Sequence, residues 1–156
     1  MNKYRTFWRR LGASIIDSVL FIPYSFIEVE SIFSQFIFST IIYTAVVATY
    51  FIFCHGKYGQ TLGKKIMGIK VLDVSEDATI GFLRAFYREL PWIVSEVALF
   101  VYILVFVFNK QSIEGYEMTE FMISFIWMCL ELITMFLNDK RRAIHDFLAG
   151  SVVVKV

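Results

Sequence analysis

Four long apolar runs limit this chain more than any other feature. They are residues 11–27 (LGASIIDSVLFIPYSFI), 36–54 (FIFSTIIYTAVVATYFIFC), 91–108 (PWIVSEVALFVYILVFVF) and 121–137 (FMISFIWMCLELITMFL). Each reaches the short end of the roughly 17–25 residues with which a helix crosses about 30 Å of hydrocarbon, and none alternates as a barrel strand does. The chain has 156 residues, 58% of them hydrophobic and 17 of them Phe, with only 2 Pro. Ordinary soluble domains are about 45–50% apolar, and one small globule cannot bury this much apolar surface. The expected fold class is therefore all-α integral membrane. Residues 1–156 form a single domain of four transmembrane helices.

Net charge is +1, which conceals a strongly uneven distribution. Lys3, Arg5, Arg9 and Arg10 precede the first run; Lys57, Lys64, Lys65, Lys70, Arg84 and Arg88 lie between the second and third; Lys140, Arg141, Arg142 and Lys155 follow the last. Of the 15 basic residues only Lys110 falls on the other side. By the positive-inside rule both termini are cytoplasmic, and EVESIFSQ and NKQSIEGYEMTE are short external loops. The basic N-terminal stretch ahead of an apolar run has the outline of a secretory signal. No small-residue cleavage site follows and the run contains Asp17, so it is expected to be retained. Cys54 and Cys129 lie in or beside apolar runs without CxxC or Cys/His spacing, which argues for buried small hydrophobes rather than a disulfide or zinc site.

The internal segment, residues 55–90, is more than a linker. Its middle, IMGIKVLDV, has strand character, as does the C-terminal GSVVVKV, and the two are expected to pair as a short β ribbon. Such a ribbon is marginal unless something covers it. Further on, Leu83, Phe86, Tyr87 and Leu90 recur at helical spacing while Arg84 and Arg88 share another face. That pattern predicts an interfacial helix in the headgroup layer, or a loop helix packed on protein, ending where Pro91 opens the third span. Residues 55–90 and 139–156 together make a cytoplasmic cap.

Charged groups within a span cost roughly 2.5–3.5 kcal/mol even on the lenient scale, so those present usually face protein, water or a partner. Asp17, Glu96 and Glu131 qualify, and all three are placed toward the cytoplasmic leaflet, where one polar pocket would hold them. On the first helix Arg10, Ala13, Ser14, Asp17, Phe21 and Tyr24 follow one stripe, and its small members with Gly12 allow another helix to approach. Arg10 and Asp17 are two turns, about 10 Å, apart, so each is expected to pair with a group from elsewhere. Asp146 is the candidate for Arg10, and Arg141 or Arg142 for an acidic site.

RRLGASIIDSVL, GQTLGKKIMGIKVLD and HDFLAGSVVV, in that order along the chain, resemble the three signature blocks of the RDD family of prokaryotic multi-pass membrane proteins. The family is named for an Arg and two Asp, which fall here at Arg10, Asp17 and Asp146. The third and fourth runs match only in being apolar, and the resemblance does not carry Glu96 or Glu131. It implies no catalytic residues. Most members lack an assigned activity, and the role suggested where there is one is transport, including sodium/proton exchange.

Two readings of function stand at this level. In the first, a small transporter or exchanger of cations or protons uses Asp17, Arg10, Asp146, Glu96 and Glu131 as its substrate-binding set, since desolvation, a neighbouring Arg and a competing cation together tune a carboxylate. Four spans without an internal repeat are few for alternating access, so it would act as a homo-oligomer. In the second, the chain is a non-transporting accessory or scaffold subunit of a membrane complex, and Arg10, Asp17 and Asp146 form a fixed clasp. Partners on either reading are the lipid bilayer, further copies or a membrane-complex partner, and a small cation or proton for the exchanger, with no nucleic acid. No enzyme, cofactor or metal is expected. GKYGQTLGKK fails as a phosphate-binding loop at Tyr58 and Lys65, and His55 and His145 lack ligand or triad spacing, which leaves them as interfacial or hydrogen-bonding residues. Lys64 and Lys65 are expected to meet anionic headgroups at about 1 kcal/mol each.

Overall fold

A long apolar run can pair all its peptide groups within itself only as a helix. In a computed structural model, which describes residues 3–25, 33–108 and 116–156, α3 (Phe33–Phe53) and α6 (Tyr116–Phe136) are each 21 residues long. By length and apolarity Ser39–Tyr58, the greater part of α3 with the π-helical turn Cys54–Tyr58 that continues it, qualifies as a membrane span, and α6 contributes the shorter apolar stretch Phe121–Phe136. Ile41, Ile42 and Val46 on α3, and Phe121, Phe125 and Ile133 on α6, face outward. The expected external loops fall largely outside the described residues, with Glu28, Glu30, Lys110 and Glu114 among those not described.

The other two runs depart from expectation. The first does not form one helix: α1 (Phe7–Val19) stops, and α2 (Ile22–Ser25) restarts after a two-residue turn. Pro23 accounts for the break, because it has no N–H to give the Val19 carbonyl four residues back and its ring crowds that oxygen. The third run is the reverse case. Helix α5 (Gly81–Phe108) is continuous through Pro91, so the amphipathic piece is the first part of a long helix and not a separate interfacial one. The outward apolar face is that of a helix lying against lipid, but the two arginines expected to share the other face separate. Leu83, Phe86 and Tyr87 are exposed, Arg84 remains outside with Asp73 at 3.2 Å, and Ala85 and Arg88 point inward. The interior of the cap is partly polar, which is why an arginine occupies the inner face.

The ribbon forms as expected. β1 (Ile69–Asp73) pairs antiparallel with β2 (Ser151–Lys155), Ile69 opposite Lys155 and Val71 opposite Val153. It is covered: Ile69, Val71, Val152 and Val153 are fully buried, and Ala13 of α1 and Ala85 of α5 join Ile69, Val71 and Val153 in one core cluster. Outer-edge groups are paired as well, Val71 N–H to the Gly59 carbonyl and Lys155 N–H to that of Lys3, at 2.7 and 3.1 Å. Burial and edge pairing together stabilise a two-stranded unit that would be marginal in water.

The short helix α4 (Leu62–Ile66) lies against α1. Small residues allow it. A Cβ on Gly63 would overlap the Ala13 carbonyl oxygen and stand 3.0 Å from Asp17 Cγ, and one on Gly12 would stand 2.8 Å from the Met67 methyl. The small-residue stripe of α1 thus admits α4 of the cap. Gly63→Ala is expected to lower thermal stability by the equivalent of about 1–3 kcal/mol, because its neighbours are backbone and a fixed carboxylate. Gly12→Ala, which meets a flexible methionine, is expected to cost less. Unfolding of both variants in detergent checks the order, and equal midpoints would contradict it.

Candidate functional site

Asp17 is 1% exposed on the inner face of α1, and its carboxylate meets the start of α4. Oδ1 accepts from Gly63 N–H at 2.8 Å and from the Tyr50 hydroxyl at 3.1 Å, and Oδ2 from the Thr61 hydroxyl at 2.5 Å. Thr61 is also the N-cap of α4, accepting from Lys64 N–H, and Tyr50 accepts from Leu62 N–H. The first N–H groups of a helix lack intrahelical partners and carry partial positive charge. Asp17 therefore serves as the counter-charge for the start of α4.

Two turns earlier on α1, Arg9 does the converse. Its Nη1 donates to the carbonyls of Met67 and Gly68, at 3.0 and 3.3 Å, just past the end of α4. A cation at the C-terminal end and an anion at the N-terminal end both suit the dipole of α4. One residue along from Arg9, Arg10 points elsewhere.

Asp146, the third residue of α7 (Ile144–Leu148), is fully buried between two arginines. Arg10 Nη1 donates to Oδ2 at 2.6 Å, and Arg88 Nη1 donates to Oδ1. Ala143 N–H also reaches Oδ2 at 3.1 Å, and the Ser151 hydroxyl reaches Oδ1 at 3.1 Å. Burial alone would raise this carboxyl, but Arg10 and Arg88 hold it well below the usual aspartate range. The guanidinium of Arg10 is completed by Thr6 and by the Arg141 carbonyl. Neither Arg141 nor Arg142 takes the acidic partner expected of it. Arg142 donates to the carbonyls of Ser151 and Asp146 and lies over the Phe147 ring, while the Arg141 guanidinium lies over Phe136.

Glu131 of α6 repeats the Asp17 motif on a second cap helix: Oε1 accepts from His145 N–H, at 3.3 Å, in the first turn of α7. The His145 Nε2 is 2.9 Å from Arg88 Nη2, which can only donate, so Nε2 accepts and the ring proton sits on Nδ1. Nδ1 lies 2.7 Å from Glu131 Oε2, off the direction of a proper hydrogen bond. Arg88 thus joins Asp146 to the His145–Glu131 pair.

A cavity of about 330 Å³ brings these groups to one wall: Arg10, Asp17, Lys64, Arg88, Glu131 and His145 line it, among apolar side chains from α1, α3 and α6. Of the five expected binding residues, Arg10, Asp17 and Glu131 line this cavity and Asp146 lies directly behind Arg10 and Arg88. Glu96 does not join them. It lines two other cavities, between α3 and α5 and between α5 and α6, further along α5. Sequence reasoning missed Arg88, Thr61, Tyr50 and Ser151; the two histidines, read as interfacial or hydrogen-bonding residues, are hydrogen-bonded. His145 is part of the network, and His55 is 2% exposed with Nδ1 3.1 Å from Glu89. For Arg88 a signal was available, because it alone among the basic residues of that helix shares a face with small Ala85.

Residues 4–150 match the family model described as RDD family. No curated protein and no solved structure matches the chain.

Asp146→Asn leaves two buried guanidinium groups without their counter-charge and is expected to cost about 3–5 kcal/mol in unfolding experiments. Because the folded carboxyl lies below the ordinary 3.8, the folded form binds fewer protons than the unfolded one. The contribution of this site is therefore full above about pH 4 and is lost as the pH falls through the folded value. Wild type should lose stability across that acid range, and Asp146→Asn should show a shallower decline. Parallel acid limbs would contradict the assignment.

Proposed function

The chain belongs to the RDD family, which is membrane-associated, and from that premise we propose that it is a multi-pass membrane scaffold or accessory subunit whose three signature blocks form a fixed latch. One observation carries this reading: every oxygen of Asp17 and Asp146 is already engaged by protein donors. Asp17 accepts three hydrogen bonds and Asp146 four, two of them from arginines. A carboxylate that carries a cation or proton has to exchange partners in each cycle. These two would have to give up the contacts that hold α4 and α7 in place. The outward-facing apolar residues of α3, α5 and α6 are the surface available to lipid and to the spans of a partner.

Four spans with both termini cytoplasmic remain the arrangement proposed here, supported by the 14-to-1 division of basic residues and by the long helices α3, α5 and α6. The broken first run would enter the membrane as α1 and α2. The cap would then lie at the inner surface, where it is available to a soluble partner or another subunit.

Flux separates this reading from cation/proton exchange. Vesicles containing the purified chain are expected to show no sodium- or potassium-driven proton movement above protein-free vesicles. Flux that Asp17→Asn abolishes, while unfolding shows the variant still folded, would overturn the scaffold reading in favour of exchange.

A further inference from the structure

Lys64 is the basic group on the cavity wall that the latch does not use. Arg10 and Arg88 are committed to Asp146 and its neighbours. Lys64, the third residue of α4, places its ammonium over the Phe51 ring, 5.9 Å from the centroid. Among the described residues it forms no ion pair or side-chain hydrogen bond. Of the acidic groups nearby, Asp17 is taken up by α4 and Tyr50, Glu131 Oε1 by α7 while its Oε2 lies against the His145 ring without a hydrogen bond, and Glu89, which lines the smaller cavity, by His55. Desolvation, and then the charge of Arg88, bring the Lys64 ammonium down to about 8, so it is still largely charged at neutral pH.

A second cavity of about 170 Å³ shares Phe51, Lys64, Arg88 and His145 with the first, and His55 lines it. The His55 Nδ1 faces the Glu89 carboxylate, an acceptor, so Nδ1 carries the proton. Nε2 is left with a lone pair, buried and without a partner. A buried acceptor in this state marks a place for a hydrogen-bond donor. The site therefore offers a free cation over the Phe51 ring and a free acceptor on His55, whose ring stacks on Phe51 with centroids 5.9 Å apart, beside the apolar wall of the larger cavity, to which Phe7, Leu11, Leu132 and Met135 contribute. Its ligand should carry an anionic oxygen for Lys64 and a hydroxyl for His55.

We propose that Lys64 and His55 bind a phosphate group bearing a hydroxyl, as in the headgroup of a glycerol-type anionic phospholipid, whose acyl chains lie along the apolar wall. Inorganic phosphate offers the same two functions without chains. The site rests on the membrane setting of the chain but not on the latch reading, so absence of lipid binding and presence of ion flux are separate results.

The test is thermal unfolding of the full chain in a neutral detergent, followed by tryptophan fluorescence, with phosphatidylglycerol, with phosphatidylcholine of the same chains, or with inorganic phosphate. Phosphatidylglycerol is expected to raise the midpoint by several degrees more than phosphatidylcholine. Lys64→Gln should abolish that difference and Lys64→Arg should keep it. Lys57→Gln, at an exposed cation outside both cavities, should also keep it, and His55→Asn should reduce it. A shift of the same size with millimolar inorganic phosphate, equally dependent on Lys64, would identify a soluble phosphate as the ligand. Should Lys64→Gln not be recovered folded, Leu11→Trp, which fills the larger cavity from α1, should abolish the difference. Equal shifts with the two lipids and none with phosphate, or a shift that survives both Lys64→Gln and Leu11→Trp, would overturn the proposal.

Discussion

Asp146 is held by α1 through Arg10 and by α5 through Arg88, and it is itself part of α7, so one buried carboxylate fixes three elements distant in sequence. Two arginines and one aspartate in a dry site would be a liability if the geometry were loose, since taking charges out of water costs several kcal/mol per ion. Here the remaining lone pairs and N–H groups are taken up by Ser151, Thr6, His145 and backbone. The arrangement stabilises one relative placement of these helices because alternative placements leave a charge uncompensated. That is a source of uniqueness, and with β2 starting three residues after α7 it also sets the register of the ribbon.

Around this centre the three signature blocks close on one another pairwise. The first meets the second where α1 holds α4 at both ends, with Asp17 on its N–H groups and Arg9 on its carbonyls. The first meets the third at Arg10 and Asp146. The second meets the third in the pairing of β1 with β2, whose valines are buried beneath Ala13 and Ala85. A carboxylate in the middle of the first apolar run is explained in these terms: it faces cap protein, and its charge is balanced by a helix N-terminus instead of a lysine or arginine. Glu131 does the same for α7, so two helices from apolar runs each carry an acid that receives a short cap helix.

Much of this was legible in the residues. Apolar runs gave the positions of α3, α6 and the second part of α5, alternation in IKVLD and the β-branched run of SVVVK gave the ribbon, and the two-turn spacing of Arg10 and Asp17 correctly implied separate partners. What was not legible has more than one cause. Pattern reading put Arg84 and Arg88 of α5 on one polar face, whereas Arg84 is exposed and Arg88 is buried in the polar interior of the cap. The histidines, read as interfacial or hydrogen-bonding residues, are hydrogen-bonding ones, His55 against Glu89 and His145 between Arg88 and Glu131, but spacing did not name those partners. Backbone donors, such as Gly63 N–H for Asp17, leave no trace in side-chain spacing at all. Glu96 shows the limit of counting intramembrane acids, because its depth along α5 puts it in different cavities.

The central claim is that Arg10 and Asp146 are energetically coupled through the buried latch, and a double-mutant cycle measures that directly. Unfolding free energies of wild type, Arg10→Met, Asp146→Asn and the double variant, in one detergent at neutral pH, give the interaction term. A coupling of about 1–3 kcal/mol is predicted, at the upper end for contacting charged groups. Effects that add to within about 0.5 kcal/mol would show that the two residues act independently and would contradict the account.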